Sequence, residues 1–396
     1  MNAVPAHRSL LHRVSLWLAS RGAPDPWLVL LAMPLLGIGL VFVFSASYPI
    51  AGFEHSRLTR GDSYYFLKHQ ALSLAVGLPL MWAVSLLPLK WVKDRAYSGY
   101  WAAIFLLLAV LVFGKEINGA RRWLCGIQPS EFARLLAVAA AARLIVDKQD
   151  QVRQLPVMMR MCMLGVPLIM LVIVEPHFAG AVLFAGVLFA MLHIGGARRR
   201  HLGLVIVAAL ALGAALILSS PYRWTRVKQM FEGHYHRLHC QMAFGAGGLG
   251  GRGFGESREK YFYLPEPHTD SILAIIGEEM GFFATVGVIA LFGLVVWRIF
   301  RIASRASDEF AVLVASGVAL TIGFEALINI ASVTGLGLTT GLPLPLVSYG
   351  GSSMWSTLAG IGLVLGVSRE QREAAPVRAR GSGAARVLRI NEIGAA

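Results

Sequence analysis

The feature that most constrains this chain is a series of apolar runs, each about as long as a bilayer is thick. A helix needs about 20 mostly apolar residues to cross the hydrocarbon core of a membrane. Strands of a membrane barrel would instead alternate apolar and polar residues, which these runs do not. The chain is therefore predicted to be an all-α polytopic membrane protein with about ten transmembrane helices. The runs lie near residues 27–47, 71–89, 97–114, 130–147, 157–174, 178–195, 202–219, 271–297, 310–333 and 350–368.

The composition supports a membrane protein. Hydrophobic residues make up 56% of the 396 residues and charged residues 15%, whereas about a quarter of a soluble protein is charged. The net charge of +14 is also what a nucleic-acid-binding protein can carry. The basic residues are spread between the apolar runs, however, so we predict a bilayer as the partner and no nucleic acid.

The distribution of Lys and Arg predicts the orientation. More than half of the 36 Lys and Arg residues fall on the side of the N-terminus, and such an excess marks the cytoplasmic side. Both termini are then cytoplasmic, and a long outer loop at 220–270 separates helices 7 and 8. Residues 1–26 are predicted to be a cytoplasmic tail because they have no cleavage site. Residues 27–368 form the membrane domain, and 369–396 form a basic, disordered tail.

Ionisable residues at membrane depth are costly and mark candidate functional sites. Asp270 stands where a polar segment meets an apolar run, as a catalytic carboxylate or as the N-cap of the next helix. Glu131 and Arg134 share one helical face and are predicted to pair, for function or for structure. Glu278 either joins the cavity of Asp270 or caps a neighbouring helix. Glu325 must face the bundle interior or water.

The long outer loop combines glycines with positive charges. The run "AFGAGGLGGRGFGES" could bring backbone N–H groups close to a phosphate, or could be a loop without a ligand. Its basic neighbours favour an anion, either a lipid-linked pyrophosphate or lipid headgroups. A zinc site is an alternative for a group that is more simply interfacial: His234, His236, His239 and Cys240.

Several long strings carry a family resemblance. "NGARRW…QPSEFARL", "EPHFAGA", "GAGGLGGRGFGESREKYFYLPEPHTDSILAIIGEEMGF" and "GLPLPLVSYGGSS" resemble the SEDS family, the FtsW/RodA/SpoVE group, in the family's order. The resemblance implies a ten-helix peptidoglycan glycosyltransferase in the bacterial cytoplasmic membrane. Such an enzyme polymerises lipid II onto an undecaprenyl-pyrophosphate-linked glycan at the outer face, for cell division or elongation. The implied partner is a class B penicillin-binding protein, a transpeptidase.

The resemblance also implies the site. Asp270, in "HTD", matches the essential carboxylate and would be the general base, while Glu131 and Arg134 resemble the family's Glu–Lys pair. No metal-ligating residue is predicted, but a divalent cation, Mg²⁺ or Mn²⁺, held between Asp270 and the diphosphate is an alternative to arginine for the leaving group. The candidate substrate-binding residues are Lys68, Arg122, Glu131, Arg134, Lys260 and Ser348.

The chain departs from the family pattern at several positions. His177 stands for an acid and Arg134 for a lysine, and the other departures are His239, Cys240, Glu325, Leu338 and Thr340. Two other functions fit a bundle with buried charges. One is a flippase that carries lipid II across the membrane, and the other is a non-catalytic scaffold that recruits the transpeptidase.

Overall fold

The computed structural model describes residues 22–52, 59, 61–117, 120–175, 177–218, 224 and 234–393. Within them the chain is a bundle of helices with one small hairpin. The helices are α1 (Pro26–Ala51), α2 (Tyr65–Ser85), α3 (Leu89–Phe113), α4 (Pro129–Asp147), α5 (Leu155–Val174), α6 (Phe178–Ile194), α7 (Arg199–Leu218), α8 (His234–Gly247), α9 (Ile272–Ala303), α10 (Glu309–Thr334) and α11 (Gly351–Ile393). The hairpin strands are β1 (Lys115–Ile117) and β2 (Ala120–Trp123).

Each of the ten predicted apolar runs is helical, on α1 to α7 and α9 to α11. Six of these helices are long and apolar enough to cross a membrane: α1, α3, α5, α9, α10 and the part Gly351–Arg372 of α11. The boundary between the second and third runs differs from the prediction. Helix α2 ends at Ser85, and α3 begins at Leu89. Between them Pro88, the N-cap residue of α3, has an extended backbone (φ −62°, ψ 131°), so one continuous helix cannot form.

The outer surface of the bundle is apolar. On α3 the side chains of Trp101, Phe105 and Phe113 are 67%, 70% and 76% exposed. Water-soluble proteins rarely leave such groups together on their surface. These side chains therefore face lipid, and the bundle is a membrane domain.

The interior combines large side chains with small ones. Leu273 and Ile275 of α9 and Phe310 of α10 are fully buried. Helix α4 contributes a run of alanines, 139–142, whose small side chains let neighbouring helices approach closely. This packing holds α4 and α10 side by side, which matters for the polar groups that they carry.

Two elements do not follow from the apolar pattern. The hairpin of β1 and β2 is an exception to the all-α prediction, and it leads through a turn at Cys125 and Gly126, both with positive φ, into α4. Helix α8 lies within the predicted 220–270 loop and packs on α9 and α10. Both elements lie beside segments that carry the sequence motifs.

Helix α9 is broken, although the sequence predicts one continuous helix. Gly281 has φ 76° and ψ −171°, outside the helical region. The glycine-rich run after α8 fills the break: Gly253 N donates to Glu279 O at 3.0 Å, and Phe282 N donates to Gly248 O at 2.9 Å. A Cβ atom on Gly251 would lie 2.2 Å from Glu279 O. The glycines therefore serve close backbone packing against α9.

Some predictions lie outside the described residues. They concern the tail up to residue 21 and most of the stretch 219–233, which includes three of the basic neighbours predicted to favour an anion, Arg223, Arg226 and Lys228. The domain boundaries and the disorder of the tail after residue 368 stay predictions, as does the cytoplasmic placement of both termini.

Candidate active site

The segment that carries Asp270 is bound to the loop that precedes α11 and, through that loop, to α2. Tyr349 N donates to His268 O at 2.9 Å. Gln70 Nε2, buried on α2, donates to Ser348 O at 3.1 Å. The "HTD" and "SYGG" strings and the first turns of α2, residues 64–70, therefore meet at one end of the bundle.

The start of α4 joins the same end. Gln128 N donates to Ser352 Oγ at 2.9 Å, and Ser356 Oγ donates to Glu131 O at 2.8 Å. Both serines lie on the first turns of α11, which follows the "SYGG" string. The "QPSEF" motif is thus fixed beside the segment of Asp270 by side chain–backbone hydrogen bonds.

Asn329 anchors the backbone at Asp270. This fully buried amide on α10 donates from Nδ2 to Asp270 O at 2.8 Å and to Leu342 O at 2.8 Å. One side chain thereby fixes two segments against the bundle, the one that ends at Asp270 and the one that contains Leu342. Asn329 was not among the predicted site residues, although a polar residue inside an apolar run is a signal that marks such a position.

The carboxylate of Asp270 is half-buried and accepts only weak hydrogen bonds. Ser271 Oγ lies 3.3 Å from Asp270 Oδ1, and Thr269 Oγ1 lies 3.5 Å from the same atom. Burial raises the pKa of Asp270 to about 7 and the nearby Glu266 acts in the same direction, whereas these hydroxyls oppose the shift. A carboxyl with such a pKa can exchange a proton near neutral pH.

The alternative that Asp270 is a helix cap does not hold in this structure. The N-cap residue of α9 is Ser271, and no side-chain capping hydrogen bond forms at this helix start. Burial and anchoring of Asp270 are therefore not explained by the helix that follows it.

Aromatic rings enclose the residue two positions before Asp270. The ring centroids of Phe66 and His268 are 4.3 Å apart. The ring centroid of Tyr349 lies 5.1 Å from that of Phe66 and 5.4 Å from that of His268. Burial lowers the pKa of His268 to about 4, so its imidazole is neutral at pH 7. This cluster rigidifies the "HTD" string.

The predicted pair of Glu131 and Arg134 forms and has a third member. Arg134 Nη2 donates to Glu131 Oε2, and it lies 3.6 Å from Glu325 Oε2 on α10. All three side chains are buried. Two carboxylates share one guanidinium, so the cluster carries no surplus positive charge for a substrate anion.

A second polar cluster consists of Arg122 and the buried residues Glu175 and His177. Arg122 Nε donates to Glu175 O at 3.0 Å, between α5 and α6. Burial raises the pKa of Glu175 to about 7, although Arg122 opposes the shift. Burial, followed by the charges of Arg122 and Arg134, lowers the pKa of His177 to about 3. Glu175 was not among the predicted site residues, although a charge at the end of an apolar run marked it.

Lys260 is placed differently from a phosphate ligand. It is 3% exposed, and its Nζ donates to Glu279 at 2.9 Å, to Ser45 Oγ at 3.2 Å and to Gly255 O at 2.6 Å. Three donors with three acceptors leave no N–H for a substrate. The ammonium instead ties the 255–260 loop to α1 and α9.

Glu278 serves the same loop. It accepts from Ser257 Oγ at 2.5 Å and from Arg258 N at 2.9 Å. The sequence offered the cavity of Asp270 or the cap of a neighbouring helix, whereas these contacts hold the turn at residues 257–259.

The other predicted residues lie at the same end of the bundle. Lys68 is exposed, with Nζ 2.8 Å from Asp62 Oδ2. Ser348 is buried, and its Oγ accepts from Leu344 N at 2.8 Å. Ser348 therefore shapes the loop, whereas Lys68 is accessible.

Two histidines of α8, His236 and His239, contact protein side chains. His239 Nδ1 lies 2.7 Å from Glu259 Oε2, and His236 Nε2 lies 2.8 Å from Ser271 Oγ. Within the described part of the chain, no group of three or more His, Cys, Asp or Glu side chains could hold a metal ion.

These features define a polytopic membrane protein with a polar site sunk into one end of a helical bundle. The chain belongs to the FtsW/RodA/SpoVE family, described as cell cycle proteins, whose profile matches residues 26–373. The resemblance noted from the motifs is thereby confirmed, as is the prediction of a bacterial multi-pass membrane protein.

Individual relatives are similar over most of their length. The probable peptidoglycan glycosyltransferase FtsW of Halomonas elongata is 36% identical over 371 residues, which cover 88% of this chain and 91% of that protein. Stage V sporulation protein E of Bacillus subtilis is 34% identical over 372 residues, with 88% and 98% covered.

Solved structures share the fold. RodA of Thermus thermophilus superposes with a TM-score of 0.64 at 31% identity. A chain from a peptidoglycan synthase complex that coordinates polymerization and crosslinking superposes with a TM-score of 0.73 at 29% identity. Each match covers 88% of this chain and 98% of the other.

Proposed function

We propose that this chain is a peptidoglycan glycosyltransferase that polymerises lipid II, with Asp270 as its general base. The observation that carries the assignment is the half-buried carboxylate of Asp270, whose pKa of about 7 suits proton transfer near neutral pH. Its backbone is fixed by Asn329. The names of the similar FtsW proteins support the same activity.

The reaction is one glycosyl transfer. Asp270 takes the proton from the 4-hydroxyl of the N-acetylglucosamine of incoming lipid II. That oxygen forms a bond to the anomeric carbon of the lipid-linked strand, and the bond from this carbon to the diphosphate breaks. The strand gains one disaccharide, and undecaprenyl diphosphate leaves. Anchoring of Asp270 contributes by holding the base in the orientation that proton transfer needs.

Positive charge must stabilise the departing diphosphate. Lys68 is a suitable donor because it is exposed and its pair with Asp62 is a surface ion pair, which an anion displaces at little cost. Arg122 lies beside the buried Glu175 and is the second candidate. Glu131 and Arg134 neutralise one another and act as a scaffold below the site, while Lys260 and Ser348 shape its loops.

A divalent cation remains a further candidate for the leaving group. Asp270 offers one carboxylate, and the described residues bring no cluster of ligands to it. Mg²⁺ or Mn²⁺ would therefore be held by Asp270 together with the substrate's diphosphate and water, and would neutralise charge on the leaving group.

The membrane arrangement is part of the proposal. Ten helices cross the bilayer, both termini are cytoplasmic, and the end that carries Asp270 faces outward. The excess of Lys and Arg in the loops of the opposite side supports this orientation. A class B penicillin-binding protein, the transpeptidase partner, would cross-link the strands on the same outer face. The peptidoglycan synthase complex with a similar chain supports such a pairing.

The deciding experiment is polymerisation of lipid II in detergent. The purified chain with its transpeptidase partner is mixed with fluorescent lipid II, and glycan strands are separated by length. A polymerase produces strands, and the partner alone is the control. A flippase would produce none in detergent, yet would move lipid II across vesicles. A scaffold would bind the partner and do neither, and either result would contradict the proposal.

A further inference from the structure

A line of side chains leads from helix α8 to the carboxylate of Asp270. Cys240 Sγ lies 3.8 Å from His236 Nδ1, and His236 Nε2 lies 2.8 Å from Ser271 Oγ. Ser271 Oγ in turn lies 3.3 Å from Asp270 Oδ1. Cys240 and Ser271 are fully buried. The proposed reaction assigns no role to Cys240, His236 or Ser271, and the sequence raised only a zinc site as an alternative for the first two.

The Ser271 hydroxyl donates to Asp270 Oδ1, and this assignment sets the direction of the other two contacts in the line. An ionised carboxylate only accepts, so the single hydroxyl proton of Ser271 points to Asp270. The oxygen of Ser271 must then accept from His236, which places the ring proton on Nε2. His236 Nδ1 is left as an acceptor, and the Cys240 thiol donates to it.

The protonation states agree with this direction. Burial lowers the pKa of His236, so the ring is neutral and carries one N–H. Burial raises the pKa of Cys240 to about 12 and the charge of Asp270 acts in the same direction, whereas the Ser271 hydroxyl opposes the shift; the thiol therefore keeps its proton at neutral pH. Every donor in the line therefore points toward Asp270.

We propose that His236 and Ser271 are positioning residues that hold Asp270 in its ionised, base-competent state. The inference rests on the proposed function of Asp270. The Ser271 hydroxyl supplies the hydrogen bond to the carboxylate, and His236 prevents that hydroxyl from turning away. Cys240 orients the imidazole from behind.

The role has a signature in the pH dependence of the reaction. A hydrogen bond to the charged form of a carboxylate lowers its pKa. Loss of the bond from Ser271 therefore raises the pKa of Asp270, and the acid limb of the rate profile moves to higher pH. Among the described residues, Glu266 on its own segment and Cys240 on α8 interact electrostatically with Asp270, and His236 on α8 reaches Asp270 through Ser271. Of these, Glu266 also raises the pKa and is left unchanged in the test.

The test measures kcat and KM for lipid II polymerisation across the acid limb. Ser271→Ala is expected to move the midpoint upward by about 0.5–1 pH unit and to lower kcat with KM unchanged. Ser271→Thr keeps the hydroxyl and is expected to restore the midpoint. His236→Leu should shift the midpoint in the same direction, and His236→Gln, which keeps an N–H donor, should not.

The matched control is His239→Gln, a change on the same helix at a histidine that pairs with Glu259. Its midpoint is expected to equal that of the unmodified protein. Unchanged midpoints in both Ser271→Ala and His236→Leu would overturn the positioning role. If Ser271→Ala does not yield folded protein, His236→Leu decides alone.

Failure of this inference can be told apart from failure of the proposed function. If Asp270→Asn is inactive while the midpoints of Ser271→Ala and His236→Leu stay in place, only the positioning role is wrong. If Asp270→Asn polymerises at the normal rate, Asp270 is not the base, and the positioning role is overturned with it.

Discussion

The side-chain amide of Asn329 donates a 2.8 Å hydrogen bond to the backbone carbonyl oxygen of Asp270. The two residues lie on different elements, 59 positions apart. The candidate base is thus fixed through its backbone by the core helix α10, and its carboxylate remains available to a substrate.

Replacement of Asn329 by alanine should release both segments at the site. The carbonyls of Asp270 and Leu342 would lose their donor, at a cost of about 1–3 kcal/mol for each one left unsatisfied. We expect a lower melting temperature in detergent and a large loss of polymerisation. Ser316→Ala, at another buried polar position of α10, is the control and should have a small effect. Normal activity of Asn329→Ala would argue against the anchoring role.

The Glu131–Arg134–Glu325 cluster should respond unequally to neutral substitutions. Arg134→Leu leaves two buried carboxylates without a cation and should destabilise the fold by about 3–5 kcal/mol. Glu325→Gln leaves the Glu131–Arg134 pair balanced and should be tolerated better. Charge reversal of Glu131 or Arg134 should be damaging, with partial rescue by the double swap. Thermal unfolding of the purified variants measures each effect, and harmless reversals would contradict a structural cluster.

Lys260 offers a test between a structural and a substrate-binding role. Lys260→Met leaves Glu279 buried without its partner, with an expected destabilisation of about 3–5 kcal/mol. Lys260→Met combined with Glu279→Leu removes both charges and should recover much of that loss. The recovered double variant should retain a normal KM for lipid II. A raised KM in a stable double variant would instead indicate that Lys260 binds the diphosphate.

The rate of polymerisation should depend on pH through Asp270. Since burial raises its pKa to about 7, the carboxylate is ionised above that pH, and the rate should fall as the pH drops through it. Stability should change in the opposite sense. A folded pKa above the ordinary value of 3.8 means that the folded state binds the proton more tightly than the unfolded chain does, so stability is lost as the pH rises from about 4 to about 7. Asp270→Asn should therefore be more stable than the unmodified chain at pH 8 but not at pH 4. If Asp270→Asn and the unmodified chain had the same melting temperature at pH 8 as well as at pH 4, the burial of this carboxyl group would be contradicted.

Features that depend only on residues close together in the chain were predicted correctly from the sequence. The ten apolar runs are helical, and the spacing of Glu131 and Arg134 led to the correct pair. The third member, Glu325, lies on another helix, and no periodicity reports which helices pack together. The motifs identified Asp270 as a candidate site residue. Its anchor Asn329 is a single polar residue in an apolar run and belongs to none of these motifs.

The charge of a residue does not show whether its side chain is buried, because burial is a tertiary property. Lys260 resembles a loop cation in the sequence, yet its partners are Ser45 and Glu279, and the first is more than two hundred residues away. The sequence left the glycine-rich run open as a phosphate-binding loop or a loop without a ligand, and in the structure its backbone packs into the break at Gly281. A glycine in an apolar run does not reveal that another segment will approach it.

The assignment of Asp270 as general base can be tested with one substitution and two measurements, lipid II binding and glycan strand formation. Asp270→Asn keeps the size of the side chain and removes its basicity, and Asp147→Asn, at the far end of α4, is the control. We predict that Asp270→Asn binds lipid II as the unmodified protein does but forms no glycan strands in detergent, while Asp147→Asn forms them normally. Glycan strands from Asp270→Asn at the unmodified rate would show that this carboxylate is not the base.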